Sequence, residues 1–394
     1  MKRFSGIILL GLGAALAAAP AGAPAALSPQ ALPIVPAPPA PADAPVALLV
    51  DLSSGQTLFA QEADRRFLPA SVTKVMTAYV AFELIAQKKL IPAQAFTVSD
   101  EVFKEWSGTG SSMFLKSGER VSVDELLHGI TTVSANDGCV VLAVGAAGSV
   151  PSWVAMMNRT AHELGMDNSH FGTPNGWPDE GGTFTTANDL AKLARALITR
   201  HPDLYARYFG KPGLAHNGFA QANHDPISGV ISGADGIKTG FTREAGYNFL
   251  GSAQRNGRRL VMVVAGIDDA RERTRVSRSL MEWGFSAFER KRIFPAGATV
   301  GYARVQNGAM VKVLLRAARP VIAEVPAGKD PRIAMSLRYR GPIEAPIAEG
   351  SEVADLEVRI AGFAPYTVPL EAASTVPEAN LWQRLLNGVL GLFA

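Results

Sequence analysis

The spacing of apolar and polar residues changes period several times along the chain, and each change marks an element. Lys2 and Arg3 precede the apolar run IILLGLGAALAAA, which passes into small residues through AGAPAA. This is the pattern of a secretory signal peptide over residues 1–26, cut after Ala25 or Ala26. A retained membrane span is disfavoured, because the run is short, rich in Gly and Ala, and followed by Pro20 and Pro24. Next comes a Pro-rich linker, residues 27–44, whose prolines suit neither a helix nor a central strand. VALLVDLSSGQTLFAQ holds two apolar runs around a Ser-Ser-Gly turn and predicts a hairpin. From Ser71 to about Gln87 the apolar positions recur at helical spacing. A second helical stretch, SVDELLHGITTV, ends at SANDGCVVLAVGAA, so Ser134 and Asn136 fall at a break between two helices, with Asp137 a further candidate cap. GADGIKTGFTREAGYNFLGSAQRNGRRLVMVVAGI reads as a strand carrying Lys238, Thr239 and Gly240, then two strands joined by the Asn256-Gly257 turn. Past Phe294 the texture becomes short alternating runs, TVGYARVQ, MVKVLLRA, PVIAEVP and IAMSLRYR, which predict a small β domain. The tail NLWQRLLNGVLGLFA is amphipathic on a helix, with Leu381, Trp382, Leu385, Leu386, Val389, Leu390 and Phe393 on one side and Gln383, Arg384, Asn387, Gly388 and Gly391 on the other. It is too short to span a bilayer and suits lying in the interface; a helix docked on the β domain is the alternative.

Composition adds limits. A chain of 394 residues, 47% hydrophobic, is long enough for two folded domains. Loss of the leader leaves 36 basic against 35 acidic side chains, so nothing suggests nucleic acid as a partner. Cys139 is the only cysteine, which excludes an intrachain disulfide; in CVVLAVGAA it reads as a small buried hydrophobe.

Three short groupings carry candidate chemistry. In LPASVTKVMT, residues 68–77, Ser71 stands at a predicted helix N-terminus, where a serine often caps. Lys74 lies one turn on and can approach the hydroxyl, and a lysine serves as base to a serine only when unprotonated, which burial and a second cation both favour. Ser-x-x-Lys and Ser-x-Asn each arise about once by chance in a chain this long, whereas Lys-Thr-Gly arises in about one such chain in ten. Lys238-Thr239-Gly240 is therefore the more specific signal. As an edge strand, with Gly236 and Gly240 leaving room alongside, it could pair with an extended peptide. Other chemistries fit less well: no Gly-x-Ser-x-Gly elbow, Walker loop or GxGxxG occurs, and HELGM at His162 and Glu163 lacks the second histidine of a zinc protease. No cofactor and no metal is expected.

SVTK, SAN and KTG occur in that order and resemble the three motifs of penicillin-recognising serine enzymes. Over about residues 44–394 the chain resembles, more closely, the low-molecular-mass penicillin-binding proteins that act as D-alanyl-D-alanine carboxypeptidases. The likeness includes ASVTK, GSSMFL at 110–115, DGIKTGFTREAGYN, and RERTRVSRSLMEWGF at 271–285. The resemblance implies an α/β (α+β) β-lactamase-like peptidase domain, residues 45–292, with an antiparallel sheet flanked by helices. A small all-β domain, residues 293–376, and an amphipathic membrane-anchoring helix, residues 377–394, would follow. It implies further that Ser71 attacks the penultimate D-alanine carbonyl, that Lys74 is the general base, and that Ser134 relays a proton to the leaving amine. Asn136 would bond the substrate amide; Lys238, Thr239 and Arg273 would hold its carboxylate; Gly240 belongs to the same strand. Backbone N–H groups of Ser71 and Phe241 would form the oxyanion hole. For Arg273 a solvated basic helix face, shared with Arg271 and Arg275, is the competing reading. Peptidoglycan stem peptides are the implied substrates, β-lactams the implied covalent inhibitors, and the outer face of the inner membrane, in the periplasm, the implied location. A class A β-lactamase would need a deacylating glutamate between the second and third motifs, and Glu180, in NGWPDEGGTF, lacks the surroundings. An endopeptidase with the same groups stays open, as does a non-catalytic peptidoglycan-binding protein. The β domain reads as a spacer off the membrane or a partner-binding module.

Overall fold

VALLVD, residues 46–51, is apolar at nearly every position because its strand is covered on both faces. In the computed structural model, which describes Pro38 and residues 44–383, this strand (β1, Val46–Asp51) is buried almost throughout. The signal peptide, nearly all of the linker, and tail residues 384–394 lie outside the described residues. Two compact units are present, one of Pro38–Ser53 with Leu58–Phe285, the other of Ser54–Thr57 with the chain from Ser286 onward.

In the first unit, β1 and β2 (Thr57–Gln61) are the expected hairpin. The following elements are α1 (Lys74–Ala86), β3 (Ala95–Thr97), α2 (Asp100–Trp106), β4 (Arg120–Ser122), α3 (Val123–His128), α4 (Asn136–Ala147), α5 (Val150–Glu163), α6 (Ala187–Arg200) and α7 (Pro202–Tyr208). A small hairpin, β5 (Gly213–His216) with β6 (Phe219–Ala222), precedes β7 (Ala234–Thr242), β8 (Gly246–Arg255), β9 (Arg258–Ile267) and α8 (Ala270–Ser286). The main sheet has the order β2-β1-β9-β8-β7, with β1, β9, β8 and β7 antiparallel to their neighbours. One face packs on α8, where Gly284 lies against Leu49 and Leu260. The other sends Val46, Leu48, Val261 and Val263 into a core shared with α1, α4, α5 and α6. β7, with Lys238, Thr239 and Gly240, is an edge strand as expected.

Three local findings differ from the expectation. The helix predicted from Ser71 starts later: Ala70–Thr73 form one 3₁₀ turn, and α1 begins at Lys74 with no side-chain cap. Ser71 therefore caps nothing. The turn is entered through Ala70 at φ 49°, and the Val72 N–H donates to the Pro69 carbonyl at 3.1 Å. The second difference is Asp137, which lies inside the first turn of α4 and not at its N-cap, and there accepts from the Gly138 N–H at 2.9 Å. Its carboxylate accepts from Ser112 Oγ (2.6 Å) and from the N–H groups of Met113 (3.1 Å) and Leu115 (3.2 Å), tying the 112–115 loop to α4. Third, the space beside Gly240 is not open to a substrate backbone. A Cβ there would stand 2.4 Å from the Pro69 carbonyl oxygen and 3.1 Å from the Val72 nitrogen, so the missing side chain lets the Ser71 turn lie on the sheet edge.

The second unit holds β10 (Phe288–Phe294), β11 (Thr299–Gln306), β12 (Lys312–Ala317), β13 (Val321–Pro326), β14 (Ile333–Arg338), β15 (Ile343–Glu344), β16 (Glu352–Ile360) and β17 (Tyr366–Ala372). Six strands form a sheet of order β14-β16-β17-β12-β11-β15, and β10 pairs with β13. That pairing places residues 286–292 with this unit, so the unit begins earlier than the expected boundary at 293. Alternation is as read: Val313, Leu315 and Ala317 are buried while Lys312 and Leu314 face outward. Leu381–Gln383 begin a helix at Asn380, whose side chain accepts from the Gln383 N–H at 2.9 Å; Leu381 and Trp382 are exposed.

Gly240→Ala forces a contact with backbone that cannot swing aside, so we expect a loss of about 2 kcal/mol. Urea denaturation with unchanged slope checks it; an unchanged midpoint would refute the contact.

Candidate active site

α1 is buried on all faces from Val75 to Phe82, with Thr77 the one distinctly polar side chain there, so its first residue is carried into the core with the rest. That residue is Lys74, 1% exposed. Its Nζ donates to Ser71 Oγ at 2.8 Å and to the Asn175 carbonyl at 2.6 Å. One turn on, Thr77 Oγ1 donates to the Pro174 carbonyl at 2.5 Å, so the Pro174-Asn175 loop is fastened to α1 twice. Gly176, at φ 72°, makes this approach possible, since a Cβ there would overlap the Ala70 carbonyl at 1.9 Å. From the sheet side, Asn248 on β8 donates to the Leu68 carbonyl at 2.9 Å and steadies the chain leading to Ser71.

Burial lowers the Lys74 pKa from 10.5 to about 8, partly offset by the nearby Cys139 thiol and Asp137 carboxylate. Lys238, 5% exposed on β7, donates to the Thr239 carbonyl at 3.0 Å. Its pKa is lowered to about 7, first by burial, then by the Lys74 ammonium, with Arg273 adding to it. On sequence grounds burial and a second cation were both expected to make Lys74 a base. In the folded chain burial comes first at both amines, and the repulsion between them falls on Lys238.

Ser134 follows a π-helical turn, Gly129–Val133, and takes φ 65°, a conformation that costs a non-glycine residue about 1 kcal/mol. Its Oγ is buried without a hydrogen-bond partner among the described residues. Asn136 opens α4; its Nδ2 donates to the Thr109 carbonyl (3.1 Å) and its N–H to the Ser111 carbonyl (2.8 Å). Thr239 is half-buried on β7, next to the buried Gly240, and Phe241 is half-exposed and stacked on Tyr247. Arg273 resolves the choice left by three neighbouring arginines. It is 9% exposed, while Arg271 and Arg275 are exposed and Arg275 pairs with Glu272, so the solvated-face reading holds for those two and not for Arg273. Cys139 is buried, its thiol pushed up to about 12 by desolvation, as an inert core cysteine should be.

Ser71 with Lys74, the α4 start with Ser134 and Asn136, and β7 with Lys238 thus converge from three stretches of chain. The Asn175 carbonyl was not foreseen as a partner of Lys74; the Asn-Gly pair signals a turn, and nothing local says where its carbonyl points. Asp137 was seen as a cap candidate, and its hold on the 112–115 loop was not foreseen. Glu180, exposed at φ 58°, makes no described contact with these groups.

A model of the D-alanyl-D-alanine carboxypeptidase family matches residues 34–269, and one of the penicillin-binding protein 5 C-terminal domain matches residues 288–378. The chain is 35% identical over 365 residues to D-alanyl-D-alanine carboxypeptidase DacD of Salmonella typhimurium, covering 91% of this chain and 93% of that protein. Among solved structures, penicillin binding protein 5 from Haemophilus influenzae matches with TM-score 0.74 at 29% identity, over 90% of this chain and all of the other. Penicillin-binding protein D2 from Listeria monocytogenes, solved with ampicillin bound, matches with TM-score 0.54 at 30% identity, over 62% of this chain and 98% of the other. Family match, full-length relatives and the Ser-Lys geometry agree, and the chain belongs to the D-alanyl-D-alanine carboxypeptidase family, serine enzymes of peptidoglycan metabolism.

Proposed function

We propose that the enzyme removes the terminal D-alanine from peptidoglycan stem peptides through an ester on Ser71. The observation that carries this reading is the 2.8 Å contact between Ser71 Oγ and an amine whose pKa burial has brought to about 8. A lysine so placed is neutral often enough near physiological pH to take the serine proton. Ser71 Oγ attacks the penultimate D-alanine carbonyl as its proton passes to Lys74. Backbone N–H groups of Ser71 and Phe241 stabilise the oxyanion. As the tetrahedral intermediate collapses, the C–N bond breaks and the leaving amine takes its proton from Lys74 by way of Ser134. Water, deprotonated by the same lysine, then attacks the ester and regenerates Ser71. Asn136 bonds the substrate amide, and Lys238, Thr239 and Arg273 take the terminal carboxylate, with Gly240 holding the Ser71 turn against that strand. An arriving carboxylate raises the Lys238 pKa again, so substrate binding restores the charge that holds it.

β-Lactams present a carboxylate and a strained carbonyl in similar relation, and penicillin-binding protein D2 of Listeria monocytogenes has been solved with ampicillin and with cefotaxime bound. Covalent inhibition at Ser71 is part of the proposal. The leader pattern supports export to the periplasm. Among the described residues no single helix is long and apolar enough to cross a membrane; the proposed attachment is peripheral, through the apolar face that Leu381 and Trp382 begin. The β unit is proposed as a spacer.

Incubation with fluorescent penicillin followed by mass mapping should place the adduct on the Ser71 peptide and leave Ser71→Ala unlabelled. Labelling of Ser71→Ala would overturn the assignment. Lys74→Met should slow acylation about 10²- to 10⁴-fold. Release of D-alanine from a pentapeptide, compared with cleavage of a cross-linked dimer, separates carboxypeptidase from endopeptidase.

The same lysine predicts a pH effect on stability. Its folded pKa, about 8, lies below its unfolded value of 10.5, so between these the unfolded chain binds the extra proton and stability rises with pH. Below about 8 both states are charged and the cost of burial is at its full size. The stability advantage of Lys74→Met over the natural chain should therefore shrink by about 2–3 kcal/mol between pH 7.5 and 10.5. Urea unfolding of both proteins at the two pH values measures this, and a constant difference would contradict the depressed pKa.

Deleting residues 380–394 should release the protein from the membrane fraction. Retention there would rule the tail out as the anchor.

A further inference from the structure

The register of β7 against β8 sets Phe241 opposite Tyr247, and the two rings stack with centroids 4.2 Å apart and planes 25° apart. Tyr247 also meets α8, where the Arg273 guanidinium carbon lies 5.9 Å from the ring centroid. Arg273 is a long, flexible cation in an unusual position. It is 9% exposed, its Nε has no hydrogen-bond partner among the described residues, and no described carboxylate pairs with it. Asp225 attracts it from a greater distance, but the Asp225 carboxylate already accepts from the N–H groups of Ile227 and Ser228 and from Ser228 Oγ. A buried guanidinium without a carboxylate to orient it needs another fixed partner. The negative face of an aromatic ring supplies one, and a ring pinned within a β ladder and stacked on its cross-strand neighbour is itself rigid.

We infer that Tyr247 is a positioning residue whose ring, braced by Phe241, aims the Arg273 guanidinium at the substrate's terminal carboxylate. The inference rests on the assignment of Arg273 made under Proposed function. Its consequence concerns specificity. A peptide with a free terminal carboxylate meets an oriented cation, whereas an internal peptide bond, as in a cross-link, presents no charge there. The Tyr247 and Arg273 pair therefore biases the site toward trimming chain ends over cutting cross-links. The ring is the partner this inference assigns, and the Tyr247 hydroxyl makes no hydrogen bond among the described residues.

The test uses the full-length enzyme and two probes, an acylated tripeptide ending in D-alanyl-D-alanine with a free carboxylate, and the same peptide as its C-terminal amide. In the natural chain the carboxylate form should be favoured. Tyr247→Leu should raise KM for that form about tenfold with kcat within about twofold, and so narrow the carboxylate-to-amide ratio. Tyr247→Phe should restore the ratio. If Tyr247→Leu keeps the ratio while Arg273→Ala loses it, the inference fails and the Arg273 assignment stands. If Arg273→Ala also keeps it, that assignment fails and the inference goes with it. Should thermal melting show Tyr247→Leu unfolded, phenylalanine analogues of rising fluorination at position 247 keep the ring's shape and weaken its face. The ratio should then fall stepwise, and a flat series would overturn the proposal.

Discussion

A lysine amine removed from water at the first turn of α1 is the constraint around which the site is arranged. An ammonium group so buried is disfavoured by several kcal/mol unless hydrogen bonds compensate or the proton leaves. Both occur here in part. The Asn175 carbonyl and Ser71 hydroxyl engage the nitrogen, and its pKa falls to about 8. The side chain is 1% exposed, so the amine meets these partners in place of bulk water. The same burial that costs stability makes the amine a usable base.

Each contact with that amine depends on a close backbone approach. Gly176 lies against the Ala70 carbonyl, and Gly240 lies against Pro69 and Val72. Two glycines, 64 residues apart, thus press a loop and a sheet edge onto the same 3₁₀ turn. Asn248 and Thr77 complete the arrangement with bonds to the Leu68 and Pro174 carbonyls. At the start of α4, Asp137 gathers the 112–115 loop, and the Thr109 carbonyl holds the Asn136 amide. Two buried basic side chains, Lys238 and Arg273, stand nearby, with no described carboxylate paired to the second. Basic groups so placed favour an anionic group, which supports the proposed recognition of a terminal carboxylate.

Much of this was legible in the sequence. Apolar runs of strand length with an Asn-Gly turn announced β8 and β9, alternation announced the second unit, and the three motifs in order announced the chemistry. Register and edge position placed Lys238, Thr239 and Gly240 as expected. Less legible was anything that depends on a partner distant in sequence. Ser71 looked like a cap because the serine preceded a helical pattern, yet the first turn is wound too tightly for that role. Asp137 looked like a cap for the same reason, yet besides the Gly138 N–H of its own turn it holds three groups more than 20 residues upstream. Only the resemblance singled out Arg273 from Arg271 and Arg275, since a charge on a helix becomes functional or solvated only according to which face the helix buries.

By itself, then, the sequence determined which elements form and which residue types stand ready for acyl transfer, because hydrophobic period and motif order are local properties of the chain. Tertiary structure alone decided that Lys74 is dry, that Asn175 completes its hydrogen bonds, and that one arginine of three is drawn inside against Tyr247. Desolvation and orientation arise from what is packed around a group, and that is a property of the folded whole.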